Sequence, residues 1–133
     1  LKPFTEEFKS GNAEMQIMLF EGTKEEARKS GVAVMEGINV VDLIEKPPEP
    51  PNNNIVVGIY FMSPCVFEII RNVKPSGRGE TEITDVQKEY LKRGALEAKK
   101  LTGKWLDAGD FEDLLHANQE TNNILMLEKD NEL

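Results

Sequence analysis

The sequence predicts an α/β fold, a mixed sheet with flanking helices, on three observations. Short runs rich in β-branched residues alternate with capped amphipathic segments. Two of those runs, Val32 to Met35 and Ile38 to Ile44, are separated only by Glu36 and Gly37 and read as an antiparallel hairpin. Other runs are separated by helical stretches, as crossover connections require.

Each element follows from its own residues. Pro3 in a first turn, Phe4 and Phe8 four apart, and Gly11 as a stop predict a short amphipathic helix. Ala13 to Phe20 alternates Met15, Ile17 and Leu19 with Met18 and Phe20, the pattern of a strand covered on both faces. Thr23 with Glu26 forms a capping box for a brief helix that Gly31 ends. After the hairpin, the PPEPPNNN run at 47–54 has four prolines that cannot donate ladder hydrogen bonds and three asparagines that favour turns. It reads as a long surface loop, because the apolar strand Ile55 to Met62 follows at once and needs a sheet to join.

Ser63 and Pro64 predict the cap and first turn of a helix burying Val66, Phe67, Ile69 and Ile70. Residues 75–79 read as a polar connection. Thr84 or Asp85 then caps a helix that buries Val86, Tyr90 and Leu91 and runs to Gly94. Ala95 to Leu101 could extend a helix or form a strand, and the strand is favoured. Asp110 caps a last helix with Phe111, Leu114 and Leu115, and the NQETNN run is expected to weaken or interrupt it.

Composition narrows the function. At 133 residues the chain fits one domain. Sixteen basic against 24 acidic side chains give a net charge of -8, which opposes binding to nucleic-acid polymers or anionic membranes. A small phosphorylated ligand is still allowed, since it needs only local cations and Mg2+ can supply the remaining counter-charge. The single Cys65 excludes an intrachain disulfide and fits a reducing, cytoplasmic location. It reads as a small buried hydrophobe, and His116 as a surface or packing residue. No run approaches the length of a membrane span.

Three clusters carry chemistry. Glu45 and Lys46 end a strand, where a carboxylate can accept sugar hydroxyls and the adjacent ammonium can bind phosphate. Taken alone, the pair is an ordinary charged strand end. Arg78, Gly79 and Glu80 combine close backbone approach with a guanidinium fork suited to phosphate oxygens, or form a solvated turn. Asp107 is a hard oxygen donor of the kind Mg2+ takes, or a turn residue.

Together the runs VVDLIEKP (Val40 to Pro47), VGIYFMSPCVFEII (Val57 to Ile70), KPSGRGETEITD (Lys74 to Asp85) and TGKWLDAGDFEDLLHAN (Thr102 to Asn118) resemble the second half of glucose-1-phosphate thymidylyltransferases. The resemblance spans roughly residues 4 to 118 and implies a nucleotide-diphospho-sugar transferase-like, Rossmann-like fold. It implies that Glu45, Lys46 and Arg78 hold a hexose 1-phosphate, and that Gly31, Val57 and Gly58 meet the sugar through their backbones. Trp105 would belong to the same substrate site, and Asp107 would bind Mg2+. Ser30, Lys104, Ala108 and Asp110 depart from the family's usual residues.

The family's glycine-rich triphosphate loop has no counterpart in this sequence. The expectation is therefore a single partial domain over residues 1–133, the sugar-phosphate half without the N-terminal nucleotide half, inactive or nearly so alone. Its ligands would be a sugar 1-phosphate and a nucleoside triphosphate or nucleotide-sugar. Pairing with a second copy or with the missing half is allowed, as is a binding or assembly module that lacks catalysis.

Overall fold

The expected strands assemble into one five-stranded sheet in the computed structural model, which describes residues 2–75, 79–103, 105–109 and 111–130. The elements run α1 (Lys2–Ser10), β1 (Met15–Glu21), α2 (Lys24–Lys29), β2 (Gly31–Glu36), β3 (Asn39–Glu45), β4 (Asn54–Met62), α3 (Val66–Asn72), α4 (Ile83–Lys92), β5 (Leu96–Lys100) and α5 (Phe111–Asp130). The strand order is β3-β2-β4-β1-β5. β5 lies parallel to β1 and the remaining pairs are antiparallel, so the sheet is mixed as expected.

Period-two side-chain alternation divides the sheet into two covered faces. On one, Met15, Ile17, Leu19, Ala33, Leu43 and Val56 form a core with Val66 and Ile69 of α3 and Val86 and Tyr90 of α4. On the other, Ala27 of α2 packs with Val32 and Ile55, and Phe8 of α1 lies 5.9 Å, centroid to centroid, from Phe61 of β4. The Thr23–Glu26 capping box forms in full and starts α2. Gly37 turns the hairpin at φ +62, a conformation that strains any side chain with a Cβ. The proline-rich segment lies within the unit Leu1–Thr102 and joins β3 to β4 as a loop.

Four local expectations are corrected. Ser63 does not cap α3; the helix begins at Val66, and the Ser63 hydroxyl instead meets Cys65 Sγ at 2.9 Å. Cys65 is half-buried, while Phe67 and Ile70 face outward, leaving Val66 and Ile69 as the buried side of α3. Neither Thr84 nor Asp85 caps α4, whose N-cap position is Glu82. The NQETNN run does not interrupt α5: Thr121 Oγ1 donates to Ala117 O within the helix, a back-bond that a threonine can make without breaking it.

Residues Gly103–Leu133, with α5, form a second compact unit. In it Phe111, Leu114 and Leu115 are exposed, as is His116. Among the described residues no helix is long and apolar enough to cross a membrane.

Candidate functional site

The base of the β2–β3 hairpin gathers polar groups. Gly31, the first residue of β2, stands directly across the ladder from Glu45, the last of β3. A Cβ at Gly31 would lie 3.4 Å from Glu45 Oε2, 3.7 Å from Thr84 Oγ1 and 3.8 Å from Val56 Cβ. The glycine therefore leaves the carboxylate room at the point where three elements meet.

Thr84, in the first turn of α4 and buried, donates its hydroxyl to Glu45 Oε2 at 2.5 Å. Among the described residues Glu45 Oε1 receives no hydrogen bond, so the carboxylate is fixed through one oxygen and open at the other. This explains why Thr84 is not a helix cap: its hydroxyl is used on a side chain 39 residues away.

Tyr60 senses the charge of the same carboxylate, and Gln87 lies beside Tyr60. Burial pushes the Tyr60 phenol above its ordinary range, the Glu45 charge adds to the rise, and the Gln87 side chain opposes it. Gln87 is itself buried, and its Nε2 finds no acceptor with hydrogen-bond geometry among the described residues. Residues Thr84, Tyr60 and Gln87 escaped the sequence reading. Val56 and Tyr60 pair with Leu19 and Ile17 of β1 and pack with the same core, across a register jump that the sequence does not announce.

Lys46 follows Glu45 with φ +43, the only positive value at a non-glycine position among the described residues. A side chain with a Cβ adopts that conformation at a cost, and such strain persists where surrounding contacts hold it. Its amide donates to Ser30 O at 3.1 Å, and its side chain is exposed.

On β4 the register jumps: Ile17 faces Tyr60 and Leu19 faces Val56, so residues 57–59 oppose Met18 alone. Beyond the pair Val32 with Ile55, β2 offers this stretch no further ladder partner. Backbone groups at Val57 and Gly58 are thereby released from regular pairing, as a bulge does. Val57 is buried and Gly58 exposed, with nothing within 4 Å of the place a Cβ would occupy. Backbone contact with a ligand at Gly58 is sterically open.

Arg78 lies outside the described residues. Trp105 and Asp107 lie in the second unit and are described by themselves. Trp105 is half-buried. Asp107 is exposed, and its Oδ1 accepts the Ala108 amide at 2.8 Å, with Gly109 folding close beside it. The structure thus brings together Gly31, Glu45 and the Lys46 backbone, and adds Thr84 and Tyr60. A separate cavity of about 460 Å³ lies at the other end of the hairpin, lined by Leu19, Met35, Ile38, Val40, Ala98 and Lys100 among others. It contains none of the residues expected to bind ligand.

The model of the nucleotidyl transferase family matches residues 1–124. The chain belongs to that family. It is 44% identical over 116 residues to the low-salt glycan biosynthesis nucleotidyltransferase Agl11 of Haloferax volcanii, covering 86% of this chain and 32% of that protein. It is 45% identical over 80 residues to the glucose-1-phosphate thymidylyltransferase of Mycolicibacterium smegmatis, covering 59% of this chain and 28% of that one. A solved UDP-glucose pyrophosphorylase bound to UDP-glucose superposes with a TM-score of 0.81 at 29% identity, over 92% of this chain and 48% of its own. The nucleotidyl transferase chain therefore spans about a third of these curated relatives and just under half of that solved structure. Its sheet has the nucleotide-diphospho-sugar transferase fold.

Nucleotidyl transferases of this family generally use divalent metal ions. Among the described residues no three His, Cys, Asp or Glu side chains cluster as a metal site. Asp107 is an exposed carboxylate, a donor of the type of which Mg2+ takes one or two while it keeps several waters and shares substrate phosphates.

Proposed function

We propose that this chain supplies the sugar-phosphate side of a nucleotidyltransferase that transfers dTMP from dTTP to glucose 1-phosphate and releases pyrophosphate. One observation carries the reading: the Thr84 hydroxyl holds Glu45 through Oε2 and leaves Oε1 without a hydrogen bond among the described residues, beside a lysine in a strained backbone conformation. A carboxylate fixed in that way is prepared to accept sugar hydroxyls, and an adjacent ammonium is suited to the phosphate of the same ligand.

In this reading a hexose hydroxyl donates to Glu45 and backbone groups at Gly31, Val57 and Gly58 border the sugar. Trp105 adds to the substrate site. Lys46 and Arg78 bind the 1-phosphate, whose oxygen attacks the nucleotide α-phosphorus as the bond to pyrophosphate breaks. Asp107 would hold Mg2+, which when bound offsets the charge developing on the phosphates. The catalytic contribution of Lys46, Arg78 and Asp107 is thus orientation and charge stabilisation. The glycine-rich clamp for the triphosphate has no counterpart among these 133 residues.

The similarity to a UDP-glucose pyrophosphorylase supports a second nucleotide choice, UTP, on the same sugar-phosphate site. A mass-spectrometric transfer assay across the four nucleoside triphosphates and several hexose 1-phosphates, on the full protein, decides between them. Formation of dTDP-glucose in preference to UDP-glucose supports the main reading. Preference for UTP replaces it, and transfer to no hexose 1-phosphate ends both.

A further inference from the structure

We propose that Arg28 is a positioning residue that splints the Lys46–Pro47 backbone against α2 and so sets the direction of the Lys46 ammonium; the proposal rests on the sugar-phosphate reading of that lysine. The backbone is held on both sides of Lys46. Before its side chain, the Lys46 amide donates to Ser30 O, the C-cap residue of α2, at 3.1 Å. After it, Arg28 Nε donates to Pro48 O at 3.1 Å and Arg28 Nη2 to Glu49 Oε1 at 3.2 Å. The third arm of the guanidinium, Nη1, is braced by Glu25 Oε1 at 2.6 Å, one turn back on the same helix.

Between those anchors little is free to turn. The ring of the buried Pro47 locks its own φ, leaving the Lys46 torsions and the two peptide-flanking ψ angles to absorb any change. Lys46 sits at φ +43, which an unrestrained lysine would leave for the ordinary region. A planar fork with several fixed donors suits this task, because one Arg28 guanidinium reaches a carbonyl and two carboxylates at once. Lys24 Nζ adds a second cation to Glu49 at 3.0 Å, and the two together lower the Glu49 pKa. Each pair is solvent-exposed and individually weak; the network fixes a direction more than it adds stability.

The test uses the 133-residue chain as it stands. In Arg28→Ala, amide hydrogen exchange measured by NMR should accelerate at Lys46 and stay at the parental rate in the β1 ladder, at Ile17 and Leu19. Calorimetric binding of glucose 1-phosphate should weaken about fivefold, or ~1 kcal/mol. Arg28→Lys, which keeps the charge and loses the fork, should recover part of both effects. Lys29→Ala, which removes one charge from the same helix without touching the loop, should leave both at parental values. Parental exchange at Lys46 in Arg28→Ala, equal acceleration throughout the sheet, or an equal effect from Lys29→Ala would each overturn the splint. If the parent chain binds no glucose 1-phosphate, the sugar-phosphate reading fails, and Lys46 exchange still decides whether Arg28 holds this backbone.

Discussion

The two ends of the β2–β3 hairpin differ in what they do with open space. At the base, Gly31 withholds a side chain and the room goes to Glu45, which Thr84 fixes from a helix distant in sequence. At the tip, Gly37 turns the chain, Ile38 stands 88% exposed, and the neighbouring cavity is lined mostly by apolar groups of β1, β2, β3 and β5. The hollow at the tip thus holds none of the residues expected to bind ligand. A binding site is recognised by converging polar groups whose directions are fixed, and volume alone does not supply them.

Substitutions at the base should separate the two ends. Glu45→Gln keeps the shape and removes the charge, so glucose 1-phosphate binding measured by calorimetry should weaken about 10- to 100-fold. Lys46→Ala should weaken it about tenfold while leaving unphosphorylated glucose unaffected, because the ammonium is assigned to the phosphate. Equal binding of the phosphate by Lys46→Ala and the parent would remove the lysine from the site.

Thr84→Val tests whether the hydroxyl orients Glu45 or starts a helix. Binding should fall about fivefold, and Thr84→Ser should restore it. A large drop in the thermal midpoint of Thr84→Val that Thr84→Ser reverses, with binding unchanged in both, would return Thr84 to a capping role. The smallest effect belongs to the tip, where Ile38→Asp should change neither binding nor melting, since the side chain is already in water.

The tyrosines offer a test that needs no ligand. Burial raises the Tyr60 phenol, and burial first, then the Cys65 side chain, pushes Tyr90 to about 12 from the ordinary 10.0. The neutral phenol is the favoured form in the folded chain. Its contribution to stability is therefore complete below pH 10 and is lost as pH rises towards 12. Ultraviolet titration should show both of the chain's tyrosines ionising above 10.0, and a tyrosine titrating at its ordinary value would contradict the burial assigned to it.

Local chemistry was legible in the sequence, and partnerships at a distance were not. The Thr23–Glu26 box closes within one helical turn, and so four letters predict it. The hairpin and the strand-end Glu45 follow from runs of β-branched residues and a glycine turn. Thr84 satisfies the same preference for a hydroxyl near a helix start, but the half-buried Glu45 carboxylate from β3 takes that hydroxyl instead. No rule confined to one segment contains that competitor. The NQETNN run failed for the opposite reason: its residues are only a few tenths of a kcal/mol poorer in a helix than alanine, too little to stop one already started. Phe67 and Ile70 drop out of the expected buried face of α3, which narrows to Val66 and Ile69, because a seven-residue helix shows too few turns to fix how wide the covered side is.

The central claim is that ligand chemistry resides at the hairpin base and not in the hollow at its tip. Titrating glucose 1-phosphate into the isotope-labelled chain and following backbone amide shifts tests it directly. Saturable shifts at Gly31, Glu45, Lys46, Gly58 and Thr84, with Gly37, Ile38 and Asn39 unmoved, are the expected result. Shifts confined to the tip and β5, or none at any concentration, would contradict it.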